Sequence, residues 1–295
     1  MFRNLRVSRE KPKVPVEPGG ISARELTRDA SLPIAIRQIN ELPENAKRRV
    51  FRSVLPTTVL TRFKISPVTW RSPNGGPTVS LRAEGGSGVV NLSIATQSAV
   101  RDPYFSLELQ DNVFQGIDLN LLILGDPEGE YFQTDFDQDG NATLFGTVRR
   151  NREQELKALQ AGLSPGQTRI GLGASKPVLS HLETFLSTLG QEAYFLEPLT
   201  YTSAWLFERR GFAYVRGHQL MDEIHREFQP GGRLYKAMDG STPFRQVEQA
   251  DSVRGRAWAI HDGILEAING RWDGLRMVKR IGLQSGVCTT PGLEY

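Results

Sequence analysis

Residues 177–189 constrain the fold of this chain more than any other stretch. Val178, Leu179, Leu182, Phe185, Leu186 and Leu189 fall at offsets of one, four, seven, eight and eleven from the first, which is one apolar stripe along a helix. Pro177 suits the first turn of such a helix, and Gly190 suits its end. On the N-terminal side lies the Gly-rich stretch 168–175. Beyond the helix come a strand-like run at 193–199, a short helix at 203–209 stopped by Gly211, and a strand at 212–215.

The composition, 39% hydrophobic and 23% charged over 295 residues, suits one large globular domain or two smaller ones. With 36 basic and 33 acidic side chains the net charge is only +3, so nucleic acid is not implied as a partner. Cys288 is the sole cysteine, which excludes an intrachain disulfide framework and multi-cysteine metal centres and fits a reducing, cytoplasmic location. Residues 1–20 carry Arg3, Arg6, Arg9, Lys11 and Lys13 among prolines and glycines, without the apolar stretch of a secretory signal, so 1–30 read as a flexible tail. No run of roughly 18 apolar residues occurs, and no membrane partner is expected.

Between 31 and 63 mixed helical spacings interrupted by Pro43 and Pro56 predict two short helices. Short runs rich in β-branched and aromatic residues follow at 79–83, 89–94, 104–109 and 119–124, with a hairpin expected at 131–136 and 143–148. A polar helix is expected at 153–163, and further helices near 221–228 and 258–268. The expected fold class is α+β, with a central mixed, mostly antiparallel sheet flanked by helices. Residues 31–220 would form the domain, and 221–295 a helical extension packed on it.

In the stretch Thr168-Arg169-Ile170-Gly171-Leu172-Gly173-Ala174-Ser175, small residues run straight into a helix, where free amides and the helix dipole favour an anion. Further along stands Phe207-Glu208-Arg209-Arg210-Gly211-Phe212. Together, over residues 169–215, these resemble the GNAT N-acetyltransferase family, in which a phosphate-cradling turn and helix lead to a strand, a short helix with a Tyr-Glu-x-x-Gly-Phe signature, and another strand. The resemblance implies a GNAT-like sheet and acetyl-CoA or another acyl-CoA as cofactor. The amides of Gly171, Leu172, Gly173, Ala174 and Ser175 would hold the pyrophosphate, Arg169 would add charge, and the pantetheine would lie in the splay beside strand 193–199, near Phe207.

The chain departs from the family pattern at three places. Thr168 stands where the turn usually carries Gln or Arg, Phe207 stands in place of the tyrosine that protonates the departing thiolate, and Thr200 stands in place of an asparagine. Thiolate protonation would then fall to Tyr201 or water. Attack of an amine on a thioester also needs a proton acceptor, for which Glu197 is the candidate. The expected function is an acyl-CoA-dependent N-acyltransferase acting on a small-molecule or peptide amine. The alternative is a catalytically inactive acyl-CoA-binding or protein-interaction module of the same shape, and a homodimer is compatible with either.

Other constellations read more simply. Asp135, Asp137, Asp139 and Asn141 with Gly140 match half of a calcium loop, but Gly146 replaces the closing glutamate, and a hairpin turn accounts for them. His218, Asp222 and His225 share one helix face and read as a polar surface, so no metal is assigned. Trp258 and Trp272 lie among Arg254, Arg256, Arg271, Arg276, Lys279 and Arg280, and such residues usually snorkel along packed surface.

Overall fold

The computed structural model describes residues 32, 34–96, 102–144, 146 and 148–295, so the expected tail at 1–30 lies outside the described residues. Over residues 34–63 the described chain forms three short helices where two were expected: α1 (Ile36–Asn40), α2 (Glu44–Arg52) and α3 (Thr57–Arg62). Pro43 and Pro56 are the N-cap residues of α2 and α3, so each proline starts a helix and divides the segment into three.

Four antiparallel strands follow, β1 (Thr78–Arg82), β2 (Val89–Ala95), β3 (Phe105–Asp111) and β4 (Ile117–Leu124). They alternate as half-covered strands should: Val90, Leu92, Ile94, Phe105, Leu107 and Leu109 point to one buried face. Helices α1 to α3 contribute Ile36, Phe51 and Leu60 to the same cluster, and the turn between α2 and α3 adds Val54. The rest of the chain gives α4 (Arg152–Gln160), α5 (Ser175–Thr188), β5 (Ala193–Leu196), α6 (Tyr201–Arg209), β6 (Ala213–Arg216), α7 (His218–Glu227), α8 (Arg233–Lys236), α9 (Val253–His261) and β7 (Arg276–Arg280). Helix α5 buries the stripe Val178, Leu179, Leu182, Phe185 and Leu186 in the main core.

The seven strands form one sheet in the order β1-β2-β3-β4-β5-β7-β6, with every neighbouring pair antiparallel except β4 and β5. The fold is therefore α+β, a mostly antiparallel open sheet flanked by helices. The segment read as a helical extension also supplies β7, which lies between β5 and β6. Tyr201, Trp205, Met221, Ile224, Val253, Ala257 and Leu275 form a second core, and Phe132, Leu163, Phe244 and Trp258 a third.

Two irregularities position the site. Strands β4 and β5 pair only through Ile117 with Tyr194 and Asp118 with Phe195; β5 ends at Leu196 while β4 runs on to Leu124, so their pairing ends in a fork beyond Asp118. Next to that fork the β3–β4 register slips: Glu108 faces Leu121 and Leu109 faces Leu119, leaving Asn120 as an extra, bulged residue. Beyond β4 the chain leaves at Gly125 and returns at Gly171, the Asp126 amide bonding the Ile170 carbonyl (2.9 Å) and the Leu172 amide the Leu124 carbonyl (2.8 Å).

Among the described residues the hairpin expected at 131–136 and 143–148 is not formed. One isolated bridge, Phe136 with Ala142, is present, and residues 145 and 147 lie outside the described residues. What holds this loop is the Asp137 carboxylate, which accepts from the amides of Asp139 (3.0 Å) and Asn141 (2.8 Å).

Candidate functional site

The turn sits at the far end of the part of β4 that β5 does not reach, where α5 begins. Gly171 and Gly173 are exposed, and Gly173 has φ +70 with open space where a side chain would stand. The glycine serves the backbone conformation, since a side chain would meet nothing. Helix α5 has no side-chain cap, and Pro177 in its first turn brings no N–H. The amides of Gly171, Gly173, Ala174 and Ser175, together with that of Lys176, have no hydrogen-bond partner among the described residues. Leu172 differs, because its amide is taken by Leu124. Arg210 of the stretch 207–212 reaches the turn, its Nη2 donating to Ser175 Oγ (2.9 Å).

Arg169 is engaged elsewhere. Its Nε donates to Asp102 (2.9 Å), its Nη1 to the Gly129 carbonyl (2.7 Å), and its guanidinium lies over the rings of Tyr131 (4.8 Å) and Tyr104 (5.5 Å). The basic group beside the turn is instead Arg210, which sequence spacing did not single out. Nearby Asp135 has its carboxyl pushed up to about 6 by burial, with the charge of Asp102 adding to the effect.

Glu197 is the first residue after β5. It is exposed, and Arg276 Nη1 donates to it (3.3 Å) while Nη2 of the same arginine holds both oxygens of Asp118 (2.8 and 2.9 Å). Tyr201 lies in the second core at 1% exposure, edge-on to Trp272, and its hydroxyl has no hydrogen-bond partner among the described residues. Burial pushes that hydroxyl up to about 12. The structure thus brings Gly171, Gly173, Ala174, Ser175 and Phe207 to the same end of the sheet, with Glu197 at the fork and Tyr201 in a separate core. Thr200 caps α6 by accepting from the Ser203 amide (3.1 Å).

The stretch 207–212 also has a packing role. Phe207 is half-buried against Phe212 (5.0 Å), which in turn meets Tyr194 (5.3 Å). Glu208 is buried and accepts from Tyr214 Oη (2.6 Å) and the Thr289 amide (3.0 Å). Gly211 takes φ +83, a backbone conformation that favours glycine, beside the side-chain ends of Gln284 and Lys279. Lys279 is buried and donates to the carbonyls of Arg210 (2.9 Å) and Leu283 (2.7 Å).

Among the described residues no group of His, Cys, Asp and Glu could hold a metal ion, and no helix is long and apolar enough to cross a membrane. His218 pairs with Asp222 (3.1 Å), whereas His225 meets Arg256 (3.2 Å). Trp258 is buried with Nε1 on the Leu163 carbonyl (2.8 Å), and Trp272 donates to the Pro198 carbonyl (3.3 Å), so both tryptophans serve packing. Comparison of the chain with protein-family models, with curated proteins and with solved structures returns no match.

Proposed function

We propose that this chain is an acyl-CoA-dependent N-acyltransferase with a GNAT-like sheet. The observation that carries the reading is the stretch of β4 that runs on past the end of β5, with an open turn of unpaired amides at its far end. A diphosphate has donors there in Gly171, Gly173, Ala174, Ser175 and Lys176, a helix dipole behind them, and Arg210 as counter-charge. An extended arm bound there would run along β4 toward the fork, where Glu197 lies. An amine attacking the thioester at the fork would release a thiolate.

A second reading is an acyl-CoA-binding module without turnover. It is favoured by Phe207, which has no proton to give, and by Tyr201, which is sealed in another core. Both readings require cofactor binding. Acetyl-CoA at 100 times its Kd should therefore stabilise the protein by about 2.7 kcal/mol, read as a rise in Tm. Gly173→Val strains the turn by about 1–3 kcal/mol and should abolish that rise. A wild-type protein that does not respond to acetyl-CoA, or a Gly173→Val variant that responds in full, defeats the pyrophosphate assignment. Release of free thiol with an amine panel then distinguishes transferase from binder.

A further inference from the structure

The sheet has a second face. Opposite the buried row of Leu92, Leu107 and Leu109, the alternate residues Asn91, Ser106, Glu108 and Gln110 form a polar row in which Ser106 is buried, Asn91 and Glu108 are half-buried and Gln110 is exposed, and the Asn120 bulge joins it at β4. At the centre of this row is Glu108, half-buried, with Asn120 Nδ2 donating to its Oε1 (3.3 Å) and Asn91 Nδ2 lying 3.5 Å from its Oε2. Two neutral amides leave about half of an ionised carboxylate's acceptor capacity unused. No lysine or arginine among the described residues pairs with it.

The neighbouring carboxylates are engaged. Arg276 holds Asp118 and Glu197, and the amides of Ile36 (2.6 Å) and Arg37 (2.9 Å) hold Asp111. Position matters as much as charge. Asn120, which Glu108 bonds, is two residues past Asp118, the last β4 residue paired with β5, so the unpaired carboxylate stands beside the fork.

We infer that Glu108 receives the positively charged amine of the acceptor, which makes the substrate class a primary alkylamine such as a small diamine or a lysine side chain. The inference rests on the acyltransferase reading. Held beside the fork, the ammonium loses one proton to water, and the neutral nitrogen then forms the C–N bond as the thioester C–S bond breaks. The departing thiolate takes up the second proton released from nitrogen. Glu108 serves to concentrate and orient the cation, so its loss should appear in KM more than in kcat.

The test compares wild type, Glu108→Gln and Glu108→Asp in two measurements: Tm with acetyl-CoA, and thiol release with 1,4-diaminobutane, cationic at assay pH, or aniline, neutral there. Glu108→Gln should keep the acetyl-CoA response and raise KM for the diamine about tenfold, while KM for aniline changes less than about twofold. Glu108→Asp, which keeps the charge and serves if the glutamine variant fails to fold, should lie nearer wild type. An unchanged diamine KM, an equal effect on both amines, or cofactor binding without turnover of any amine overturns the assignment. Failure of wild type to respond to acetyl-CoA defeats the acyltransferase reading itself, and this inference with it.

Discussion

At the scale of single residues, the turn and its surroundings separate what residue type announces from what the environment decides. Arg169 stands beside two glycines, where a phosphate ligand would be sought, yet Asp102, Gly129 and two tyrosine rings hold its guanidinium. Arg210, forty-one positions on, does reach the turn, and only the packing of α6 against the start of α5 reveals it. The same environment makes Asp135 a liability at neutral pH. Burial and the charge of Asp102 raise its carboxyl from 3.8 to about 6, so its stabilising contribution is full below pH 3.8 and is lost as pH rises through 6. Asp135→Asn, which cannot ionise, should therefore stabilise the protein by about 1–2 kcal/mol at pH 7.5 and by almost nothing at pH 3.5. Urea midpoints of both proteins at the two pH values give the comparison, and an equal gain at both would defeat the argument.

At the scale of elements, legibility followed the periodicity. The helix at 175–188 and strands β2 and β3 show periods of 3.6 and 2 because each buries one face, and their ends, like those of β1 and β4, were found within about two residues. The segment 131–148 has strand-like composition but, among the described residues, only the isolated bridge of Phe136 with Ala142, and Asp137 bonding backbone amides holds its turn. Strand β7 was missed for the opposite reason. Arg276-Met-Val-Lys-Arg280 looks like solvated surface, whereas Met277 and Lys279 are both buried and the strand lies between β5 and β6. Lys279 spans from β7 to the end of α6, where its ammonium bonds the carbonyls of Arg210 and Leu283. Lys279→Met keeps the side-chain length and removes the donor, leaving two carbonyls without that partner. It should cost about 2–3 kcal/mol in urea denaturation. A cost below about 0.5 kcal/mol would mean that water replaces the ammonium without loss.

At the scale of the whole molecule, the excursion between β4 and the turn is tied to the C-terminal region by charge as well as by packing. Arg150 donates to Glu155 (2.6 Å) and to Asp262 (2.7 Å), Arg245 also bonds Asp262 (3.0 Å), and His261 lies 3.1 Å from Glu155. Trp258 and Phe244 stack beside these groups at 5.2 Å, so the network sits at the margin of the third core. Burial works to raise the Asp262 carboxyl, but hydrogen bonds from Arg150 and Thr242 and the charges of Arg150 and Arg245 overcome it and hold the group below the usual carboxylate range. Glu155 is lowered likewise, against burial, by His261 and Arg150. Carboxyls lowered by folding stabilise above their unfolded values, 3.8 and 4.5, and lose that contribution as pH falls through the folded ones. Removing one partner of such a buried set leaves Arg150 and Arg245 short of counter-charge, which costs far more than breaking an exposed pair such as Lys157 with Glu153. Asp262→Asn should therefore lose about 3 kcal/mol at pH 7, against less than about 0.5 kcal/mol for Lys157→Met. The gap between wild type and Asp262→Asn should narrow as pH falls below 4, because acid neutralises in the wild type the charge that the variant lacks. Because this network joins the excursion to α9, protection of amides 150–163 and 253–262 from hydrogen exchange should fall together in the variant, and loss in one segment alone would show that the two regions are not coupled through Asp262.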